Sequence, residues 1–264
     1  MADTELAKAL KDLPNRIQTA SKNERRDILK NVVDVLSNPG INEKIVGGIC
    51  KVISITLHRY KETTSQSYVK NLIIALLDKQ PDATVRFMTS AIAEQAIWHK
   101  NLVPTYNTSL TAYQTLKWSS LVLLHGINKG SESCYAELPK LIESQANLTA
   151  SALACGGKKL SDKVYKLLIY GWKTVEGIDE KYVENLVKFE ASSGLVVLAS
   201  LLINYLVETK KDTLANDLKT NVLDALIKVS VSCKKKPDLY VVDAAAPLLK
   251  RVSHDEFKNQ LLPA

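Results

Sequence analysis

The side chains best suited to catalysis or metal binding are widely scattered in this sequence. The four histidines are His58, His99, His125 and His254. A zinc site needs three or four ligands, usually with short spacings among some of them, and the histidines form no such cluster. Glu62 follows His58 by four residues, but a single pair at this spacing is usually a contact on the solvated face of a helix. The histidines therefore indicate no metal site.

The four cysteines, Cys50, Cys134, Cys155 and Cys233, are equally far apart. No two are close enough in sequence for a metal knuckle or a redox pair. Most lie in or beside apolar segments, so we expect reduced thiols with a structural role. The sequence also contains no nucleophile elbow and no dinucleotide fingerprint. It therefore predicts a protein that is not an enzyme and that uses no cofactor.

Residues 155–159, Cys-Gly-Gly-Lys-Lys, come nearest to a phosphate-binding loop. A P-loop would need a glycine at position 152 and a hydroxyl side chain at position 159, where the sequence has Ala152 and Lys159. The pattern instead predicts the end of one helix, followed by the basic start of the next.

Lysines are concentrated at three predicted turns between helices. The formal net charge of +7 permits RNA or an acidic protein as a partner. In a stack of helix pairs the turns lie along the edges, so these lysines could line one ridge that suits RNA phosphates. The alternative is three independent solvated turns. The candidate contacts are Lys158, Lys159, Lys210, Lys211, Lys234, Lys235 and Lys236.

The elements that carry these residues are predicted to be helices, because apolar side chains recur at helical spacing along nearly the whole chain. We expect more than about two-thirds of the residues to be helical, against a third in an average globular protein. Ser21 and Glu24 form a capping box at the start of one helix. This start sets the phase of the helix, so Arg25 and Arg26 should be exposed, and Ile28 and Leu29 buried.

About thirteen helices joined by short turns are predicted, and the chain should be all-α. Helix starts near residues 22, 65, 109 and 192 suggest helix pairs that recur at about 40 residues, the range of HEAT and armadillo repeats. We therefore expect residues 1–264 to form a single HEAT/armadillo-like α-solenoid segment of antiparallel helix pairs, with a compact helical bundle as the alternative. Gly126 is expected to end the helix that begins near Leu110.

Residues 191–207, ASSGLVVLASLLINYLV, contain no charged side chain. A membrane span needs about 20 apolar residues. This run is shorter and carries Ser192, Ser193, Ser200 and Asn204. It therefore predicts a helix that is buried on most sides rather than a membrane span.

Three stretches of the sequence share a recognisable order and spacing. They are residues 19–29, with Thr19-Ala20-Ser21, Glu24-Arg25-Arg26 and Ile28-Leu29; residues 50–60, with Cys50-Lys51 and Thr56-Leu57-His58-Arg59-Tyr60; and residues 236–263, with Lys236-Pro237, Tyr240, Ala246-Pro247-Leu248-Leu249, Ser253-His254, Glu256-Phe257-Lys258 and Leu262-Pro263. Together they resemble the amino terminus of one family, the general-control translational activator. Members of this family are very large HEAT-repeat proteins that link stalled ribosomes to the initiation-factor-two-alpha kinase.

The resemblance implies a non-catalytic scaffold of the cytoplasm that associates with the ribosome, through ribosomal RNA, ribosomal proteins or both. It implies a contribution to activating the initiation-factor-two-alpha kinase in amino-acid starvation, with the kinase bound by regions absent from this chain. An ABC-type ATPase is a further implied partner, whereas DNA and membranes are not. A general protein-binding HEAT adaptor without ribosome contact remains the alternative, and an enzyme is the third possibility.

The last predicted helix begins with a second capping box at Ser253 and Glu256 and carries Phe257, Leu261 and Leu262. A solenoid repeat needs a neighbour or a polar cap to cover its outer face. We therefore expect an apolar edge here, against which the next repeat of a longer protein would dock. In isolation this edge should fray or associate with another chain.

Overall fold

The structure, a computed structural model, is built from helices. It describes residues 2–36, 41–59, 63–232 and 239–261. Helices make up 85% of it and the described part contains no strand, which confirms the predicted all-α class. The helices are α1 Ala2–Thr19, α2 Lys22–Val35, α3 Glu43–Arg59, α4 Thr63–Lys79, α5 Pro81–Lys100, α6 Tyr106–Asn128, α7 Ser133–Ala154, α8 Gly157–Thr174, α9 Ile178–Leu186, α10 Ser193–Glu208, α11 Asp212–Ser232, α12 Leu239–Leu249 and α13 His254–Glu256, followed by a π-helical turn, Phe257–Leu261.

The chain divides into two compact units. Unit 1 comprises Met1–Gln95 and Lys117–Leu141, and unit 2 comprises Ala96–Leu116 and Ile142–Ala264. The helices α5, α6 and α7 therefore each contribute residues to both units. The expectation that residues 1–264 form one segment stays a prediction.

Unit 1 shows how successive helix pairs stack. Helix α1 packs against α3 and α2 packs against α4, while the neighbours α1 and α2, and α3 and α4, also touch. Equivalent helices of two consecutive pairs are thus in contact, which is the packing of an all-α solenoid. Ile17, Leu29, Ile49 and Leu72 are fully buried between these helices.

Unit 2 is organised around α10, which packs against α9, α11 and α12. Its side chains from Leu195 to Ala199 are all buried, as are Leu202, Ile203 and Leu206. The predicted helix that is buried on most sides is therefore confirmed. Gly194 allows its close approach to α7, because a Cβ at this position would lie 2.9 Å from the carbonyl carbon of Ala146. Among the described residues, no helix combines the length and the apolar character needed to cross a bilayer.

The predicted capping box fixes the start of α2. The amide of Ser21 donates to Oε2 of Glu24 at 2.7 Å, and the amide of Glu24 donates to Oγ of Ser21 at 3.4 Å. Arg26 is exposed, while Ile28 and Leu29 are buried, as predicted. Arg25 differs from the prediction and is only partly exposed, because its guanidinium turns back and donates to the carbonyl oxygen of Ala20.

Gly126 does not end its helix, contrary to the sequence-based expectation. Helix α6 continues to Asn128, and Gly126 instead allows side chains of neighbouring helices to approach closely. A Cβ built on Gly126 would lie 2.3 Å from Sγ of Cys134 and 2.9 Å from Cγ2 of Val85. Here a glycine marks close helix packing, a role that a single sequence does not distinguish from a helix stop.

Candidate nucleic-acid interface

The lysines predicted at the turn near residue 158 are accessible to a ligand. Lys158 and Lys159 lie on the first turn of α8 and are exposed. Helix α7 ends at Ala154, and Gly157, with a φ of 64°, provides the left-handed backbone at the junction. This confirms the prediction that one helix ends at this turn and that the next helix begins with basic residues.

The two lysines at the turn between α10 and α11 differ from each other in their surroundings. Lys210 is exposed and has a φ of 61°. Lys211 is partly buried, and its Nζ lies 2.5 Å from Oδ2 of Asp179, whose side chain is only 2% exposed. The hydrogen bond to Asp179 raises the pKa of Lys211 above its ordinary value, although burial acts in the opposite direction. Lys211 thus neutralises a buried carboxylate.

These two lysine turns contact different elements, and their common ridge stays a prediction. The ion pair with Asp179 places Lys211 beside the first turn of α9, which follows the carboxyl end of α8. Lys158 and Lys159 occupy the amino end of α8, and a helix of this length spans roughly 27 Å. Lys234, Lys235 and Lys236 lie outside the described residues.

A feature not singled out in the sequence lies at the turn between α5 and α6. Four apolar side chains are exposed there, and we refer to them as the apolar tip: Ile97 at 60%, Trp98 at 39%, Val103 at 80% and Tyr106 at 60%. Four exposed apolar side chains within residues 97–106 make this turn a candidate interaction site. The neighbouring His99 is buried, and its ring packs edge-on against Trp98 at 4.8 Å between centroids.

The apolar tip is held in place by local hydrogen bonds. The amide of Thr105 donates to Oγ1 of Thr108 at 2.8 Å, and the amide of Thr108 donates to Oγ1 of Thr105 at 3.1 Å. Nδ2 of Asn101 donates to the carbonyl oxygen of Ile97 at 3.0 Å. The exposed side chains are therefore presented by a well-bonded turn, which lowers the entropy lost when a partner binds.

The buried Ser109 joins the start of α6 to the end of α7. Its hydroxyl donates to the carbonyl oxygen of Ser151 at 2.9 Å and accepts from the amide of Cys155 at 3.0 Å. Cys155 is exposed and precedes Lys158 by only three residues. The apolar tip and the lysines of α8 therefore lie at the same edge of unit 2, which we name the basic edge: the apolar tip, Lys100, Cys155, Lys158 and Lys159.

Carboxylates are missing from the sequence that builds the basic edge. Residues 95–131 contain no aspartate or glutamate, and neither do residues 144–161, although the whole chain carries 28 acidic residues. Among the described residues, acidic side chains lie at its borders. Glu143 and Glu190 line a cleft of about 330 Å³ with Lys100, and Asp162 follows one turn after Lys158. Counting the carboxylates along the sequence would have indicated this edge.

The described residues show no arrangement suited to metal binding. No group of three or more His, Cys, Asp and Glu side chains that could hold an ion occurs among them. Two buried cysteines are chemically quiet, since burial raises the pKa of Cys50 to about 12 and that of Cys134 to about 11. A cleft of about 430 Å³ lies beside α8 and is lined in part by Tyr165 and Tyr240. Lys158 also lines this cleft, together with the oppositely charged Asp162 and Asp243.

Comparisons with known proteins agree with the resemblance seen in the sequence. No known family pattern and no solved structure matches the chain. The human protein named stalled ribosome sensor GCN1 is 29% identical over 262 residues, and the mouse protein of the same name is equally similar. These residues cover 99% of this chain but only 10% of each relative. The chain is therefore similar, over almost its whole length, to a segment that makes up about a tenth of the stalled ribosome sensor GCN1.

Proposed function

We propose that the chain is a ribosome-associated, non-catalytic scaffold element that acts in translational control in the cytoplasm. The observation that carries the proposal is the similarity of 99% of the chain to stalled ribosome sensors. The all-helical packing supports a binding role, because stacked helix pairs offer long surfaces for partners. The chain corresponds to the amino-terminal part of the larger pattern, as the order of the three sequence stretches indicates.

The mechanism that we propose is positional. A scaffold that holds a ribosome and the initiation-factor-two-alpha kinase together raises the effective concentration of one near the other. The chain spans a tenth of the relatives that it matches, so the kinase and an ABC-type ATPase would bind to other parts of such a protein. This chain would supply one of the contacts with the ribosome in the response to amino-acid starvation.

The contacts that fit this role best are Lys158 and Lys159. Both are exposed on a segment, residues 144–161, that contains no carboxylate, so their charge is available to RNA phosphates. Lys210 is a weaker candidate, since its neighbour Lys211 is engaged with Asp179. Lys234, Lys235 and Lys236 remain candidates from the sequence.

Sedimentation of the chain with purified ribosomes across a salt series tests the proposal. We expect the chain to pellet with ribosomes at about 50 mM salt and to be released progressively by about 300 mM, because phosphate contacts weaken steeply with salt. An absence of co-sedimentation at every salt concentration would contradict the proposed function. It would favour the alternative, a general HEAT adaptor that binds other proteins.

A further inference from the structure

We propose that the basic edge binds unpaired RNA, with an unstacked base lying on the ring of Tyr106 and with adjacent phosphates at Lys158 and Lys159. The inference rests on the proposed ribosome association and names the kind of ribosomal element that this edge would contact. The structural basis is the apolar tip beside exposed lysines on an edge whose sequence lacks carboxylates.

The aromatic side chains of the tip favour a ligand with flat apolar faces. Tyr106 is 60% exposed and lies on the first turn of α6, and Trp98 is 39% exposed at the last turns of α5. Proteins recognise single-stranded RNA by stacking splayed bases on such rings, whereas the bases of an RNA duplex are stacked on each other and inaccessible. An unpaired loop or a single strand is therefore the form of RNA that the edge fits.

The charge of the edge favours a polyanion. Lys158 and Lys159 are exposed on the first turn of α8, and the bonds of Ser109 to Ser151 and Cys155 hold this turn against the start of α6. The amino end of a helix adds a partial positive charge to that of the lysines. Unpaired RNA combines the phosphates and the flat faces that these groups suit. In RNA every phosphate is linked through a sugar to a flat base, whereas an acidic protein carries its charges and its aromatic rings on separate side chains.

The test is the affinity of the full chain for a fluorescently labelled 12-nucleotide single-stranded RNA, measured by anisotropy, with the same RNA in a duplex for comparison. We expect the single strand to bind more tightly than the duplex. Y106A should weaken binding of the single strand by about 5- to 150-fold, the range for loss of one stacked base. Y106F keeps the ring and should bind like the unaltered chain.

Two controls separate stacking from general effects of substitution. Tyr170, which is 62% exposed on α8, provides the matched variant Y170A, and this variant should bind RNA normally. K158A/K159A should reduce the slope of log affinity against log salt by about 1.4, the value for two phosphate contacts to a single strand. K166A/K173A removes two exposed lysines elsewhere on α8 and should leave the slope unchanged.

Alkylation of Cys155 gives an independent readout, because this exposed thiol belongs to the basic edge. Bound RNA should slow its reaction with iodoacetamide, as followed by mass spectrometry of the peptide. Equal binding of single strand and duplex, or unchanged affinity in Y106A, would overturn the inference.

Ribosome sedimentation in parallel separates the inference from the proposed function. If Y106A weakens sedimentation although the chain binds no oligonucleotide, the contact is with a ribosomal protein. This result would overturn the inference and leave the proposed function standing. Oligonucleotide binding that depends on Tyr106, without sedimentation, supports the inference and contradicts the proposed function.

Discussion

At the residue scale, a lysine at a turn can serve either the fold or a ligand, and its neighbours determine which. Lys211 and Lys210 are adjacent in sequence, yet Lys211 pairs with the buried Asp179 while Lys210 is exposed. Breaking a charge pair with one buried member leaves an uncompensated charge, which is strongly destabilising. Lys211 therefore contributes to stability, and only its neighbour remains available to phosphate.

Replacing Lys211 by methionine should lower the free energy of unfolding by about 2 kcal/mol at pH 7. The value is below that for a fully buried pair, because the lysine side chain is 38% exposed and water screens it. Urea denaturation followed by circular dichroism measures the change, with K173A as a control at an exposed lysine of α8. A loss no larger than that of K173A would show that the pair does not stabilise the fold.

The same pair has a predictable dependence on pH. The pKa of Lys211 is raised, chiefly by its hydrogen bond to Asp179. A raised lysine pKa gives stability that is complete below the unfolded value of about 10.4 and is lost as the pH rises through the folded value. The difference between the unaltered chain and K211M should therefore shrink in alkaline solution, in denaturation curves recorded above pH about 10.

The cysteines differ in accessibility, which predicts the order in which they react. Cys155 is exposed, whereas Cys50 and Cys134 are buried and burial raises the pKa of both thiols. Since the thiolate is the reactive form, we expect Cys155 to react with iodoacetamide in the native chain much faster than the other two. Peptide mass spectrometry resolves the three rates. Rapid labelling of Cys50 or Cys134 in the folded chain would contradict their burial.

At the element scale, two glycines within helices should respond to substitution in opposite ways. A methyl group at Gly126 would meet Sγ of Cys134 and Cγ2 of Val85, whereas nothing lies within 4 Å of a Cβ at Gly171. G126A should therefore destabilise the fold by about 1–3 kcal/mol through overpacking. G171A should stabilise it by up to about 1 kcal/mol, because alanine favours a helix over glycine. Thermal unfolding of both variants checks the prediction, and a stabilised G126A would refute the close packing.

The final helical turns bury none of their described side chains. No side chain of α13 is buried, and Phe257 is 48% exposed. The capping box of Ser253 and Glu256 and the 3.0 Å ion pair of Glu256 with Lys219 anchor only the first turn, and these contacts lower the pKa of Glu256 to about 2.

Hydrogen exchange tests this difference in stability between elements. Amides from 254 to 261 should exchange much faster than those from 213 to 229 in α11, where Leu218, Val222 and Leu223 are buried. Equal protection of the two segments in a monomeric sample would mean that residues 254–261 are as stably packed as α11.

The helices could be predicted from the sequence because apolar periodicity and capping boxes are local signals. Ser21 with Glu24 set the phase of α2 correctly, and the turn before Lys158 was located by its glycines. The errors concern individual side-chain contacts. Gly126 packs against Cys134 and Arg25 folds back on Ala20, neither of which helical periodicity reveals. The common ridge of lysines stays a prediction, because spacing in the sequence does not show which element each turn contacts.

At the scale of the whole molecule, the chain combines stacked helices with one edge of distinct chemistry. Helix packing buries the apolar side chains within each unit. The carboxylates are absent from the segments that build the basic edge and present at its borders. Such an arrangement fits a scaffold whose role is to bind, and the partner that it favours is a polyanion.

The central claim, that the chain binds ribosomes through the basic edge, is tested most directly by reversing the charge of that edge. K158E/K159E places acidic residues at the amino end of α8, where the helix dipole favours them, so the fold should be retained. We expect this variant to lose sedimentation with ribosomes at about 100 mM salt, whereas K166E/K173E, with the same net charge, should sediment like the unaltered chain. Equal sedimentation of the two variants would contradict the claim.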